Sequence, residues 1–420
     1  MGAPVRGPNV LRAAPPRQRV HRVPCPAERG SVSRPGRYLG VMRGFFLLLL
    51  GLAVAGASLA LARFPGVVER VYGQALGPWI ARTLSVLTGW SPVSLSFVGI
   101  IALASWAVWR GAAGIGRIRA GEIGTFLALQ KGAAWTAGVV GVLILAFYLL
   151  WGLNYARAPL DERLELVREV PPDPEELGRF AEYVVERTNL AYRTLHGGEE
   201  DIGAPTVDPL VPRQLSDELS VGWRRVGEAL GMGSLADRSY GPVKIRGTSW
   251  VLDGLDLLGV YSPFTGEAHV TGSPPAVVVP ASVGHEQAHQ RAIPRENEAT
   301  FAGALAAIHS DGHLVRYSGW ARILRSVMRD LARADRPGRD ALMERVHPGV
   351  RRDWADYARW YQENRSVAGP VASAVNDTYL RTHAVPGGIQ SYSRDTTLFL
   401  EWWRRYGGRL TVLPGTSSVE

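Results

Sequence analysis

Residues 282–301 read SVGHEQAHQRAIPRENEATF, and their histidines and carboxylates carry the spacing of a zinc site. In a helix, residues four apart stand one turn above each other on the same face, so His285 and His289 can direct both imidazoles at one metal ion. Glu286 is rotated about a third of a turn from His285 and stands beside the metal, where a general base belongs. A catalytic zinc uses three protein ligands and leaves a fourth position open, and water held there has its pKa lowered to near neutrality. A carboxylate within hydrogen-bond reach then takes the proton as water attacks a polarised carbonyl.

The third ligand is expected just downstream. Pro294 cannot continue the first helix and biases Ile293 out of the α region, so a second helix begins around residues 295–297. Glu298 is the expected ligand, because Ala302, Leu305 and His309 share its face and would bury it against the first helix. Glu296 is the reserve; it lies two positions earlier on nearly the opposite face, so one helix cannot offer both to the same ion. Ser282 is the expected N-cap, following a short strand in AVVVP (276–280). The alternative to a metal site is a charged surface helix.

These residues resemble the core of an uncharacterised bacterial family of multi-pass membrane proteins, domain of unknown function 3810, which carries an HExxH zincin-type motif. YSPFTGEAHV (261–270), RYSGW (316–320), WGLNYARAPL (151–160), and NDTYL with GGIQSYS near the C-terminus extend the resemblance over most of the chain from about Arg43 onward. It implies an architecture and a metal site but no substrate. Ala292 departs from the glycine usual in the family after the Gln-Arg pair. The Asn-Glu-Ala of residues 297–299 is also similar to the third-ligand motif of thermolysin-like peptidases, which favours Glu298. By the same resemblance, Glu267, Ala268, His269 and Val270 form the strand whose edge would receive an extended peptide through backbone hydrogen bonds; an ordinary buried strand is the plainer reading. Tyr317, Tyr379 and Tyr392 are oxyanion-stabilising candidates on the same footing, each with a packed tyrosine as the alternative.

The elements that must position this site begin with a basic arm. The chain has 420 residues and a net charge of +9. Residues 1–43 are rich in Arg, Pro and Gly with one acid, Glu28, and show no apolar periodicity, so disorder is expected. They lack the aromatic interleaving of a nucleic-acid-binding arm, so no nucleic acid is expected as a partner. Met42 followed by Arg43 and an apolar run would be a natural start for a membrane protein. Residues 44–62, 92–109 and 135–153 are long and apolar enough for three transmembrane helices, making residues 44–153 the membrane region. The basic arm, together with Arg110, Arg117, Arg119 and Lys131, belongs on the cytoplasmic side, which puts everything after Leu153 outside. Residues 63–91 are amphipathic and suit the outer interface.

From Asn154 onward the composition is that of a soluble domain. Asp173 with Pro174 starts a helix whose buried stripe includes Phe180, Val184 and Ala191, and a second helix is expected over residues 212–230. PVKIRG, WVLD, LGVYS and EAHVTG in residues 240–280 are strand candidates. Helices follow over residues 314–334, 352–364, 371–382 and 394–406. The expected fold is mainly α, with three transmembrane helices followed by a zincin-like α+β domain over residues 154–420 that carries a small β-sheet. Cys25 is the sole cysteine, so any metal must be held by His and carboxylate. His309 and His313 are four apart, but Asp311 and Gly312 end the helix between them, which argues against a second metal site.

The expected function is hydrolysis of peptide bonds by a membrane-anchored zinc metallopeptidase with His285, His289 and Glu298 as ligands and Glu286 as base. The rival is a non-catalytic membrane scaffold in which a structural zinc staples two helices. That reading requires a fourth donor such as His269 or His309. A transporter is disfavoured because the spans carry no internal charge.

Overall fold

The computed structural model describes residues 1–2, 36–166, 172–198, 211–237, 239–382 and 394–413. Three largely apolar runs fold as helices long and apolar enough to cross a membrane: α1 (Gly36–Leu61), α4 (Leu95–Arg119) and α5 (Thr125–Leu150). Between the first two lie the short α2 (Pro65–Val68), a π-helical stretch (Glu69–Leu76) and α3 (Gly77–Thr88). The second and third helices outrun the apolar segments read from sequence. No proline interrupts residues 110–119 or 125–134, so the helical hydrogen bonds continue through both flanks.

Small residues hold α1 against α5. A methyl on Gly51 would stand 2.6 Å from the Gly141 carbonyl oxygen, a backbone approach that larger side chains forbid. The start of α4 is held by the C-terminal region of the chain. Ser94 caps it by accepting from Phe97 N–H, and Glu267 accepts from the N–H groups of Leu95 (3.0 Å) and Ser96 (2.8 Å). A carboxylate at a helix N-terminus is favoured by the dipole as well as by these unpaired donors. From that contact α4 carries Arg117 and Arg119 to its far end, ~37 Å away.

After α5 the chain makes a 3₁₀ turn (Gly152–Ala156) and the short α6 (Leu160–Arg163). Arg157 in this connection is buried. Its guanidinium bonds both oxygens of Glu69 (2.7 and 3.0 Å) and donates to the Ala292 carbonyl at 3.1 Å. One side chain thereby ties the segment before α3, the end of the third span and the turn beside the histidines.

The C-terminal region consists of α7 (Pro174–Leu195), α8 (Pro212–Gly227), α9 (Ser249–Asp253), strands β1 (Gly259–Ser262) and β2 (Glu267–Val270), α10 (Val279–Gln290), α11 (Glu296–Ile308), α12 (His313–Ala334), α13 (Arg336–Arg345), α14 (Pro348–Glu363), α15 (Gly369–Thr382) and α16 (Asp395–Arg405). Asp173 caps α7 through Glu175 N–H with Pro174 in the first turn, where its missing donor is harmless. At the centre lies α11, buried on every side from Glu298 to Ile308. A helix without a polar face must be wrapped by others, and α8, α10, α12 and α16 do this. Phe301 packs on Phe399 and Trp402, and Trp223, Leu219, Ile323 and Val327 extend the core.

The β region is smaller than the sequence suggests. β1 and β2 pair antiparallel, Gly259 with Val270 through Ser262 with Glu267, and a single parallel bridge joins Lys244 to His269. WVLD is helical and forms α9. AVVVP makes a turn and enters α10, since Pro280 sits comfortably in a first helical turn; Ser282 is consequently inside the helix, bonded to the Val278 carbonyl, and does not cap it.

Candidate metal centre and cavity

Gln287, Gln290 and Arg291 of the HEQAHQRA run are anchored to other parts of the fold, and this sets the face that α10 presents. Gln287 accepts from Trp223 Nε1 (2.8 Å), Gln290 donates to the Gly266 carbonyl (2.8 Å), and the Arg291 guanidinium lies between the rings of Trp223 and Tyr240 (4.6 and 4.8 Å). Burial pushes the Arg291 pKa down to about 10. The opposite side of the helix carries His285 and His289, with ring centroids 4.9 Å apart and planes at 90°.

After α10, Ala292 adopts φ 64°, the left-handed conformation that glycine enters freely and alanine enters at a cost of about 1 kcal/mol. This turn explains why glycine suits the position. It reverses the chain so that the first residue of α11, Glu296, faces the histidines. Glu296 Oε2 lies 2.9 Å from His285 Nε2 and 3.7 Å from His289 Nε2. Donor atoms of His285, His289 and Glu296 all fall within 4.8 Å of one another, and this is the one such group of three among the described residues.

Glu298, the ligand expected from sequence, is not part of this cluster. Two positions along α11, its carboxylate points the other way, accepts from Leu160 N–H at 2.8 Å and lies 3.6 Å from Arg295. Burial raises its pKa. The side chain is buried as expected, but against the chain leaving α5 instead of against α10. The third donor that the described residues bring to the two histidines is therefore Glu296.

The donor set fits a tetrahedral zinc with an open position. His289 Nδ1 lies 2.8 Å from the Ile293 carbonyl, which requires the proton on Nδ1 and leaves Nε2 free to bind. His285 Nδ1 is within 3.1 Å of Thr300 Oγ1, on the next turn of α11. Second hydrogen bonds of this kind fix ring orientation in metal sites. Without an ion, the three groups form a proton-sharing cluster. Burial opposes charge on His289, yet the Glu296 carboxylate outweighs it and holds His289 up at about 9; the same pairing keeps Glu296 well below the usual carboxylate range against its own burial.

Glu286 is 5 % exposed and lies against the β1 backbone, where a methyl on Gly259 would approach its Oε1 to 2.6 Å. Burial pushes its pKa up to about 6, despite the opposing pull of His285 and His289. Behind His289, Trp151 Nε1 donates to the His289 carbonyl (3.1 Å), with its ring edge-on to the imidazole at 6.0 Å, and Tyr261 of β1 lies 6.3 Å away on another side. Trp151 follows directly on α5, so the C-cap of the third apolar helix forms part of the wall around the histidine cluster. Sequence reading gave neither Trp151 nor Thr300 a role; the quoted WGLNYARAPL stretch was the one pointer to Trp151.

A cavity of about 300 Å³ opens beside the cluster, and His285, Glu286, Gly259 and Thr300 contribute to its wall. Tyr317 also lines it, but its hydroxyl donates to Asp353 Oδ2 at 2.8 Å; burial, then Asp353, raises its pKa. The Tyr379 side chain and Tyr392 lie outside the described residues.

The peptide-edge expectation requires correction. β2 is flanked by β1 on one side, and on the other Lys244 N–H donates to the Ala268 carbonyl while Val270 N–H donates to the Lys244 carbonyl. Both edges of β2 are thus occupied. Its side chains serve the membrane junction: Glu267 caps α4, and His269 Nε2 lies 2.8 Å from Ser94 Oγ while its ring stacks on Phe97. Among the described residues nothing pairs with the outer edge of β1, the strand next to Glu286. His309 turns its Nδ1 to the Leu305 carbonyl at the end of α11, so neither His269 nor His309 joins the cluster as a fourth donor.

Residues 72–400 match the model of a family described as protein of unknown function (DUF3810), which covers more than half of the 420 residues. No curated protein and no solved structure matches the chain.

Proposed function

We propose that this chain, which belongs to the DUF3810 family of unknown function, is a membrane-anchored zinc metallopeptidase. The observation that carries the reading is the convergence of His285, His289 and Glu296 beside Glu286, at the edge of an open cavity. A zinc ion bound there would supply a Lewis acid for the scissile carbonyl and make water a nucleophile at neutral pH. Three donors with room beside them favour a catalytic site over a structural one.

The chain's own residues take the remaining roles. Glu286 removes the proton from the attacking water and returns it to the leaving amine, work suited to a carboxylate whose burial has raised its pKa toward neutrality. Thr300 and the Ile293 carbonyl hold the two imidazoles in register. β1 offers the peptide the edge that no other described residue pairs with. Because the Leu258 carbonyl bonds inward to Thr271 N–H, the alternation of an antiparallel ladder turns the backbone groups of Gly259 and Tyr261 outward. The basic residues at the far end of α4 support a reading with that end in the cytoplasm and the metal site on the outer side of the membrane.

The test uses full-length protein in detergent, because the site includes residues from the end of α5. Metal content by mass spectrometry should give one zinc per chain, lost in His289→Ala. With a mixed peptide library as substrate, wild type should cleave and Glu286→Gln should retain zinc without cleaving. A folded wild type that holds no zinc, or equal cleavage by Glu286→Gln, would overturn the reading.

A further inference from the structure

The cavity beside Glu286 continues away from the histidines toward α12 and α14, and its far wall contains an unusual charge. Arg325 lines it, with its guanidinium 4.5 Å from the centre of the Tyr357 ring. Among the described residues Arg325 forms no ion pair with a carboxylate. The acids around it are engaged elsewhere. Asp395 is shared by Arg322 and Arg329, each at 3.2 Å, and by Ser326 Oγ. Asp353 accepts from Tyr317 and Arg352, and Asp256 accepts from Ser366 N–H. Residues 383–393, which join α15 to α16, contain no Asp or Glu.

A half-buried guanidinium in the wall of this cavity, with no carboxylate paired to it among the described residues, gives up part of its hydration and is met by Tyr357 alone, through the ring face and a hydrogen bond to its side chain. The balance is visible in its acidity: burial, with Arg322 and Arg329 adding repulsion, pushes its pKa down to about 10. Val277, Val278, Leu324, Val350 and Trp354 give this wall its apolar part, and Arg322, Ser318, Asp256 and Asp353, the acids engaged as described, line it as well. Stacking on Tyr357 fixes the plane of the guanidinium, so its fork is oriented before any ligand arrives.

We infer that this cavity is the specificity subsite of the proposed peptidase, and that it takes a peptide segment bearing a carboxylate, which pairs with Arg325. The inference rests on the peptidase reading for the role of the site, though the pocket's preference for an anion stands on Arg325 and its surroundings. The carboxylate has two sources: the free C-terminus of the substrate, or a Glu or Asp side chain near the scissile bond. Apolar side chains of the same segment fill the remaining volume. A bidentate pair formed away from water is among the stronger polar contacts available, worth about tenfold or more in affinity.

The experiment uses full-length Glu286→Gln protein in lipid nanodiscs, so that bound peptide is not consumed. Three dye-labelled peptides of otherwise identical apolar sequence are compared by fluorescence anisotropy: one with a C-terminal acid, one with a C-terminal amide, and one amide with an internal Glu. At least one carboxylate-bearing peptide should bind about tenfold or more tightly than the neutral amide, and adding Arg325→Gln should erase the difference. Adding Arg325→Lys, which keeps the charge but not the fork, should restore part of it. The two acidic peptides separate a C-terminus-reading enzyme from one that reads a side chain. Equal binding of all three, no binding of any, or a preference that survives Arg325→Gln would overturn the inference. Preference without cleavage by wild type would remove the peptidase reading and keep the anion pocket, while cleavage without preference would do the reverse.

Discussion

Gly303 of α11 meets Gly284 of α10 backbone to backbone, so closely that a methyl on Gly303 would stand 2.6 Å from the backbone nitrogen of His285. This contact sets the separation of the two helices that supply the candidate ligands. Gly303→Ala should push α11 away, costing about 1–3 kcal/mol as overpacking does and moving Glu296 off the histidines. Thermal unfolding and competition with a zinc-binding dye would register both effects. A stable variant with wild-type zinc affinity would show that the spacing is not critical.

The two acids of the ENEA run should separate cleanly. Glu296→Ala removes the carboxylate 2.9 Å from His285 and should abolish zinc retention. Glu298→Ala should keep the metal but leave Leu160 N–H without its acceptor, lowering stability by about 1–3 kcal/mol. Metal analysis with urea unfolding of both proteins distinguishes them, and the opposite pattern would restore Glu298 as ligand.

Gly259→Ala tests Glu286 without altering it. The added methyl would reach to 2.6 Å from Glu286 Oε1 and displace the carboxylate. Zinc content should remain at wild-type level while kcat on a cleaved peptide falls, by up to about a hundredfold for a displacement near 1 Å.

Glu69→Ala should destabilise the junction between the long apolar helices and the C-terminal region. It strands Arg157, whose side chain is only 6 % exposed, and loss of one partner of a buried pair typically costs about 3 kcal/mol. A fall in thermal midpoint in detergent, with Arg157→Met less severe than Glu69→Ala, is the expected ordering, because the methionine removes the stranded charge.

Chelator-treated protein should show a distinct pH profile. The folded-state pKa of His289, about 9, lies above its ordinary 6.5, so its contribution to stability is complete below about 6.5 and lost as pH rises toward 9. Glu296 is depressed below its ordinary 4.5, so its contribution is present above that value and lost as pH falls. Stability from the pair should therefore peak between about pH 4.5 and 6.5, and His289→Gln should flatten the alkaline side. Unfolding midpoints across pH 4–10 check this.

Local rules reach a good part of this protein. The four-residue spacing of His285 and His289 puts their imidazoles on one helical face, because a helix repeats every 3.6 residues whatever surrounds it. The helix break around Pro294 and the three long apolar helices are equally local, since they follow from a missing N–H and from uninterrupted runs without charge. Other features depend on what arrives from far along the chain. Which acid faces the histidines was decided by the left-handed turn at Ala292 and by Leu160, which claims Glu298 from 138 residues away. Among the described residues the unpaired sheet edge is that of β1, because Lys244 occupies the far side of β2, and AVVVP turns into α10 where its composition favoured a strand. Trp151, Arg157 and Arg325 gained their places in the same way. Periodicity fixes the direction of a side chain relative to its own helix, whereas only packing decides what stands opposite it.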